Sequence, residues 1–166
     1  YDEARDYMSQ GLANVVEKTK NYVNIDNSAI SAVINNKFAL CEKKNINVKC
    51  SIVANLNLYN TIDLSVILFN LLDNAIEACR KVPEGKRFIR LENKYQSGKL
   101  LLVITNSKTM EKNENLKTTK KDSYSHGRGI LSVQRVAEKY NGTAGFTDKG
   151  EVFEASVILY GIEVKK

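Results

Sequence analysis

Residues 61 to 80, TIDLSVILFNLLDNAIEACR, have the spacing of a long helix with one buried face. Apolar side chains recur at intervals of three and four residues, which is the period of an α-helix. Asp63 in the first turn favours the start of this helix, and Pro83 marks its end. The apolar positions are Leu64, Leu68, Leu71, Leu72, Ala75 and Cys79. We therefore predict a helix from Thr61 to about Arg80 that packs this face into a core.

A second stripe of the same helix is polar and contains Asn70, Asp73, Asn74 and Glu77. Such a stripe can be the solvated side of a helix, which is the ordinary role of polar helix residues. Asparagine, however, is among the weaker helix formers, and Asn70 and Asn74 stand four residues apart beside leucines. This pattern favours a binding site next to the buried face.

The rest of the chain contains further helix and strand patterns. Helix patterns occupy residues 2–22, about 27–41 and 127–140. Strand patterns occupy residues 46–53, 89–91, 100–104, 143–147 and 152–159. Asp26 or Asn27 can cap the second helix, and adjacent strands joined by short turns should be antiparallel. This order of elements predicts an α+β fold in two layers.

Residues 107–126 contain almost no apolar side chains, so we predict a mobile polar loop of the lid type. This loop leads into Gly127, Arg128 and Gly129 at the predicted start of the last helix. Glycines there let the backbone approach an anion, and the first N–H groups of a helix point towards it. Phosphate is the expected guest, with Lys120 and Lys121 as countercharges. The alternative is that these glycines only allow the turn from loop to helix, which requires glycine even where no ligand binds.

The composition excludes several classes of protein. The 166 residues carry a net charge of +6, but the lysines are scattered, so we expect no nucleic-acid partner. No apolar run approaches the roughly 20 residues needed to span a bilayer. Cys41, Cys50 and Cys79 are an odd number without metal-binding spacing, which favours reduced thiols in a cytosolic setting.

Two segments resemble motifs of a known superfamily. Asn70 to Cys79, NLLDNAIEAC, resembles the N box of the GHKL ATP-binding domains, and His126 to Ile130, HGRGI, resembles their second glycine box. The superfamily includes histidine kinases, gyrase B, MutL and related chaperones, and the order and spacing of the motifs match over residues 60–160. With Thr119-Lys120-Lys121 between them, the segments are similar to the peptide quorum-sensing receptor kinases of low-GC Gram-positive bacteria.

The resemblance implies a Bergerat-type sandwich, with a mixed, mostly antiparallel sheet, helices on one face and a mobile ATP lid. It also implies that Asn74 binds Mg²⁺ through its amide oxygen and that the ion bridges the phosphates of ATP. Asn70 stands where ATP-hydrolysing relatives carry a glutamate general base. Because an amide cannot take a proton from water, Asn70 favours phosphoryl transfer over hydrolysis. The other implied ATP contacts are Asp73, Glu77, Lys120, Lys121, His126, Gly127, Arg128, Gly129 and Ile130.

The first glycine box of the superfamily, Asp-x-Gly-x-Gly, is not matched. The corresponding strand ends Ile104-Thr105-Asn106-Ser107 and contains no glycine. Strand alternation places Leu102, Ile104 and Asn106 on one side, so Asn106 is best placed to accept a hydrogen bond from the adenine amino group. We expect weak to moderate nucleotide affinity from this neutral acceptor.

The resemblance divides the chain into two parts: residues 1–24, part of a dimerisation hairpin, and residues 25–166, the catalytic domain. The phosphorylated histidine would precede Tyr1, because the single histidine, His126, lies beside the expected phosphate loop. The implied protein partners are this hairpin, in a homodimer, and a response regulator. The implied location is the cytoplasmic side of a plasma membrane receptor, with membrane contact only through an upstream segment.

Two alternatives remain open. The first is a serine kinase of the anti-sigma-factor type in the same superfamily, which would retain the glutamate that Asn70 replaces. The second is a degenerate docking module without nucleotide turnover, which the altered first glycine box supports.

Overall fold

The computed structural model describes residues 22, 23, 25–110 and 120–161, and for residues 120–126 it describes the backbone alone. Three α-helices and five strands lie within this part of the chain. The helices are α1 (Ser28–Lys43), α2 (Thr61–Arg80) and α3 (Lys120–Lys139), and a short 3₁₀ turn covers Leu56–Leu58. The strands are β1 (Asn47–Ile52), β2 (Phe88–Gln96), β3 (Lys99–Ser107), β4 (Thr143–Asp148) and β5 (Val152–Tyr160).

The strands form one mixed sheet in the order β1-β2-β3-β5-β4. Only the β1–β2 pair is parallel, and the other three pairs are antiparallel. Ser97 and Gly98 connect β2 to β3, and both have a positive φ, which is the conformation of a two-residue hairpin turn. The α+β sandwich with a mostly antiparallel sheet is confirmed, and so is the antiparallel pairing of β2 with β3.

The core lies between the helices and one face of the sheet. Alternate residues of the central strands point into it, as Ile89 and Leu91 do in β2 and as Leu102 and Ile104 do in β3. Helix α2 buries one whole face in this core, and its inner residues are Leu64, Ile67, Leu68, Leu71, Leu72, Ala75, Ile76 and Cys79. This set contains all six positions predicted from the periodicity.

Asparagine side chains begin both α1 and α2. The Oδ1 atom of Asn27 accepts from the backbone N–H of Ile30, so Asn27, rather than Asp26, is the cap of α1. Its Nδ2 atom donates to the Thr61 hydroxyl at 2.9 Å. Asn60 caps α2 by accepting from the next two free backbone N–H groups. The starts of the two helices are therefore joined.

The last helix starts earlier than predicted. We expected Gly127 to open it, but α3 begins at Lys120, so Gly127, Arg128 and Gly129 lie inside the helix. Residues 120–126 include neither glycine nor proline, and a polar sequence without these residues can continue a helix. The expected lid over residues 107–126 is therefore wrong at both ends, because Ser107 belongs to β3. Residues 111–119 of that lid, and the predicted helix 2–22 up to residue 21, lie outside the described part.

Glycine is required where α3 gives way to β4. Asn141 has a φ of +53°, and the N–H of Gly142 donates to the Ala137 carbonyl at 2.8 Å. A Cβ atom on Gly142 would lie 1.7 Å from the Ile158 carbonyl oxygen. The Ile158 backbone cannot move far enough to relieve this overlap, so position 142 accepts only glycine.

The half-buried Asp63 carboxylate joins α2 to the end of α3. The Asp63 Oδ2 atom accepts from the Lys139 ammonium and from the Tyr140 hydroxyl, each at 2.7 Å. These two hydrogen bonds, that of Lys139 first, lower the pKa of the Asp63 carboxyl despite its partial burial. The Tyr140 hydroxyl in turn accepts from the Asn60 N–H at 3.2 Å.

We predict that the Asp63 carboxyl makes the free energy of unfolding depend on pH. A carboxyl with a lowered folded pKa contributes fully above its unfolded pKa, about 3.9, and its contribution is lost as the pH falls through the folded value. The difference in unfolding free energy between the wild type and Asp63→Asn should be constant above about pH 5 and should shrink below about pH 4. Urea unfolding at several pH values measures this difference, with Glu138→Gln as the exposed control on α3. A difference that stays constant down to about pH 3 would contradict the assignment.

Candidate functional site

A cavity opens between the second half of α2 and the ends of three strands. We call it the α2 cavity. Its polar lining comes from Asn74 and Glu77 on α2, from Lys81 just after this helix, and from Asn106 on β3. Lys108 and Thr109 follow β3 at the rim. The remaining lining is apolar and consists of Leu71, Ala75, Ala78, Ile104, Ile130, Phe146, Phe153 and Ala155.

Strand register explains why the apolar lining meets at this place. Ile104 pairs with Ala155, which also pairs with Phe146 on the opposite side. Asn106 pairs with Phe153 in the next inward row. Two adjacent rows of the sheet therefore supply a floor of aromatic and small side chains, with Asn106 as the polar group on it.

The cavity encloses about 190 Å³. Sites that enclose a whole drug-sized ligand span roughly 300–1,000 Å³. The α2 cavity therefore has room for part of such a ligand, such as one flat ring system. Charged groups attached to the ring would lie outside the cavity, near its polar rim.

Asn106 lies where the strand alternation predicts. Its side chain is on the inward face of β3 with only 3% of its surface exposed. The Nδ2 atom donates to the Ser107 carbonyl at 3.0 Å. The amide is therefore held by its nitrogen, and its oxygen is left as the group that can accept from a guest in the cavity.

The α2 asparagines have different surroundings. Asn74 lines the α2 cavity and is half-buried. Asn70 lies one turn earlier and donates from Nδ2 to the Val66 carbonyl at 2.8 Å. Its Oδ1 atom faces α3, where a Cβ atom built on Gly129 would lie 3.0 Å away. Asn70 is therefore packed against Gly129 of α3 and is not part of the cavity lining.

Asp73 points towards α1 and away from the cavity. Its Oδ1 atom lies 2.5 Å from the Lys37 ammonium. The same ammonium lies 3.7 Å from the centre of the Phe69 ring. An ion pair reinforced by a cation–π contact joins α1 to α2 here, which is a structural role that the sequence pattern did not indicate.

The structure brings together Asn74, Glu77, Asn106 and Ile130 from the residues selected by sequence. Arg128 is exposed and does not line the cavity. Gly127 and Gly129 lie inside α3, so their N–H groups are not the free donors of a helix start. The side chains of Lys120, Lys121 and His126 lie outside the described part of the chain.

Sequence reasoning missed Lys81, Lys108 and the two phenylalanines of the cavity. Lys108 donates from Nζ to both oxygens of Asp148, at 3.0 and 2.9 Å, and to the Gly150 carbonyl at 3.1 Å. The hydrogen bonds of Lys108, the largest cause, lower the pKa of Asp148. The alternation of β4 and β5 could have indicated Phe146 and Phe153, but the pairing with β3 was needed to locate them.

The oxygen atoms of the cavity wall suit a magnesium ion that takes most of its ligands from water and phosphate. The Asn74 amide and the Glu77 carboxylate offer hard oxygen atoms on the cavity wall. Among the described residues, no group of three His, Cys, Asp or Glu side chains could hold a metal ion by itself. Magnesium commonly keeps several waters and uses one or two protein oxygens together with phosphates, and this wall suits that arrangement.

Comparison with protein families agrees with this geometry. Residues 59–160 match the family described as the GHKL domain, and this range includes α2, the strand ends and the whole cavity lining. The chain belongs to the GHKL domain family. A comparison of this GHKL domain with curated proteins finds no match.

Solved histidine kinase structures share the fold of this GHKL domain. The histidine kinase AdeS of Acinetobacter baumannii superposes with a TM-score of 0.60 at 12% identity, over 96% of this chain and 79% of its own. The catalytic domain of the histidine kinase ThkA gives 0.58 at 20% identity, over 80% and 95%. The cytoplasmic segment of the histidine kinase QseC gives 0.53 at 17% identity, over 97% and 95%.

None of the described helices combines the length and the apolar character needed to cross a membrane.

We predict different effects for two glycine substitutions in α3. A Cβ atom on Gly127 meets nothing within 4 Å, so Gly127→Ala should stabilise the helix by about 0.5–1 kcal/mol. Gly129→Ala should lose this gain, because its Cβ must displace the Asn70 amide. Urea unfolding measures both effects, and the NMR signal of the Asn70 side-chain amide should shift only in Gly129→Ala. Destabilisation by Gly127→Ala would contradict the early start of α3.

Proposed function

We propose that this chain is the ATP-binding catalytic domain of a two-component sensor histidine kinase. In this proposal the domain transfers the γ-phosphoryl group of ATP to a histidine on a dimerisation hairpin, and an aspartate of a response regulator then receives it. The observation that carries the proposal is the α2 cavity, where Asn74 and Glu77 lie at the rim of an apolar floor that holds Asn106.

The cavity suits adenine in both shape and polarity. Phe146 and Phe153 line the cavity and supply aromatic surface for a flat base. The Asn106 amide, tied through its nitrogen to Ser107, offers an acceptor to the adenine amino group. With the base enclosed, the phosphates would lie near Asn74 and Glu77 at the rim.

Magnesium would be held by the Asn74 amide oxygen and the phosphates of ATP, with Glu77 as a second oxygen donor. The ion would neutralise charge on the phosphates during transfer. Asn70 has no carboxylate with which to activate water, and its side chain is occupied by the Val66 carbonyl. Both properties favour transfer to a protein side chain over hydrolysis, and they count against the serine kinase alternative.

We further propose that the receptor belongs to the peptide quorum-sensing class of low-GC Gram-positive bacteria. The support is the similarity of NLLDNAIEA and HGRGI to those receptor kinases. In this proposal residues 1–24 belong to the dimerisation hairpin of a homodimer, residues 25–166 form the catalytic domain, and the domain lies on the cytoplasmic side of the membrane. The phosphates would then lie near Lys120, Lys121, His126 and residues 127–130.

Calorimetric titration with a non-hydrolysable ATP analogue tests the nucleotide site. The wild type should bind the analogue more tightly with magnesium than without it. Asn74→Ala should abolish this dependence on magnesium and leave the circular dichroism spectrum intact, because Asn74 is half-buried at the cavity rim. Asn36→Ala, an exposed asparagine on α1, is the matched control and should bind as the wild type does.

Two outcomes would contradict the proposal for the nucleotide site. Absence of binding by the wild type would favour the degenerate docking module. Unfolding of Asn74→Ala would make Asn74 a structural residue.

A phosphotransfer assay tests the acceptor. A receptor chain that includes the hairpin should become labelled from [γ-³²P]ATP through a bond that is labile in acid, because phosphohistidine hydrolyses there. The same chain carrying the Asn74→Ala substitution should not become labelled. An acid-stable label on serine would instead identify the serine kinase alternative.

A further inference from the structure

Four basic residues that are far apart in the sequence lie together on the outward face of the sheet. Lys49 of β1 pairs with Arg90 of β2. Lys94 follows on the same face of β2, and Lys99 of β3 is its diagonal neighbour, because Lys94 pairs with Leu101. We call these four basic residues the sheet basic patch. Strand pairing therefore gathers charges that the sequence shows as scattered.

The charges of the sheet basic patch are not paired with carboxylates of the domain. Lys49, Arg90 and Lys94 are exposed, and Lys99 is half-buried. No ion pair within the described part of the chain involves any of the four. Glu92 is the one acidic residue on the outward faces of β1, β2 and β3. Positive charge therefore predominates on this half of the sheet.

The side chains next to the patch are shorter than its lysines and its arginine. The outward positions of the neighbouring strands include Leu101, Val103 and Ser156, which are half-buried. Lysine and arginine heads on long stems can extend beyond such neighbours into solvent. A broad, flat partner can therefore contact several of the charges at once.

The patch and the α2 cavity lie on opposite faces of the sheet. The cavity lining contributed by β3 consists of Ile104 and Asn106, which point inward towards the helices. Because successive side chains of a strand point to opposite faces, the patch is separated from the cavity by the sheet itself. A partner on the patch therefore leaves the entrance for a nucleotide open.

We infer that the sheet basic patch binds the anionic surface of a membrane. The choice of a membrane rests on the proposed function, which places the domain on the cytoplasmic side of a plasma membrane receptor, where anionic lipids make the surface potential negative. Each lysine or arginine close to such a surface strengthens binding about fivefold. The sequence implied membrane contact only through an upstream segment, so the patch is a second contact, made by the catalytic domain itself.

Co-sedimentation of the whole chain with lipid vesicles tests this inference. The probes are vesicles of phosphatidylcholine alone and vesicles of equal parts phosphatidylcholine and phosphatidylglycerol, at about 0.05 M salt, where charge screening is weak. The wild type should bind the anionic vesicles and not the neutral ones. The double variant Arg90→Ala/Lys94→Ala should bind the anionic vesicles more weakly by a factor on the order of ten, because it loses two charges of the patch.

A matched control removes two charges from the helix layer instead. Lys43 at the end of α1 and Arg135 on α3 are exposed, and neither has an ion-pair partner among the described residues. Lys43→Ala/Arg135→Ala has the same net charge as the patch variant. It should bind the anionic vesicles within about twofold of the wild type, since charges far from the contact are screened.

Several results would overturn the inference. These are a wild type that binds anionic vesicles no better than neutral ones, a patch variant that binds as the wild type does, and an equal loss of binding in the control. The last result would show that net charge alone drives binding. Tighter binding of the wild type to duplex DNA than to vesicles of equal phosphate concentration would also overturn it and identify a nucleic-acid partner.

Calorimetry with the ATP analogue separates this inference from the proposed function. The patch variant should bind the analogue as the wild type does, because the patch lies on the other face of the sheet. Vesicle binding by a wild type that binds no nucleotide would refute the nucleotide site and leave the patch standing. If circular dichroism shows that the patch variant does not fold, Lys49→Ala/Lys94→Ala should show the same loss of vesicle binding, and unchanged binding by that variant would overturn the inference.

Discussion

The contact between the apolar face of α2 and the inner face of the sheet fixes the position of the other features. Eight buried side chains along this helix define its height and rotation over the strands. Once they are seated, Asn74 and Glu77 must border the sheet ends, and Cys79 must lie beneath the end of β3. A hydrophobic contact without directional preference thus positions groups whose chemistry depends on direction.

The two ends of α2 contribute differently to the structure. At its start, Asn60 caps the helix and Asp63 binds both Lys139 and Tyr140, so the helix layer is held together by hydrogen bonds. At its other end, the neighbouring strands and α3 leave the α2 cavity between them. The start of α2 is therefore fixed by hydrogen bonds to the end of α3, whereas its second half borders the cavity.

The amide at the end of β3 differs from a carboxylate in what it can bind. Both oxygens of a carboxylate accept hydrogen bonds, so rotation of the group does not change its partners. An amide accepts at one end and donates at the other, and it attracts an amino group less strongly because it carries no charge. In Asn106 the buried Ser107 carbonyl accepts from the amide nitrogen and so sets the orientation of the amide.

The sequence by itself determined the elements, because helix and strand periods are local properties. It predicted α2 with its buried face, the inward side of β3 that holds Asn106, and the hairpin of β4 and β5. It could not show that α3 begins at Lys120, since a polar segment has no apolar period to read. Only the tertiary structure decided that Asp73 pairs with Lys37 and that Phe146 and Phe153 line the same cavity as Asn106. Those contacts join residues far apart in the chain, and they depend on strand order and helix rotation, which no local pattern encodes.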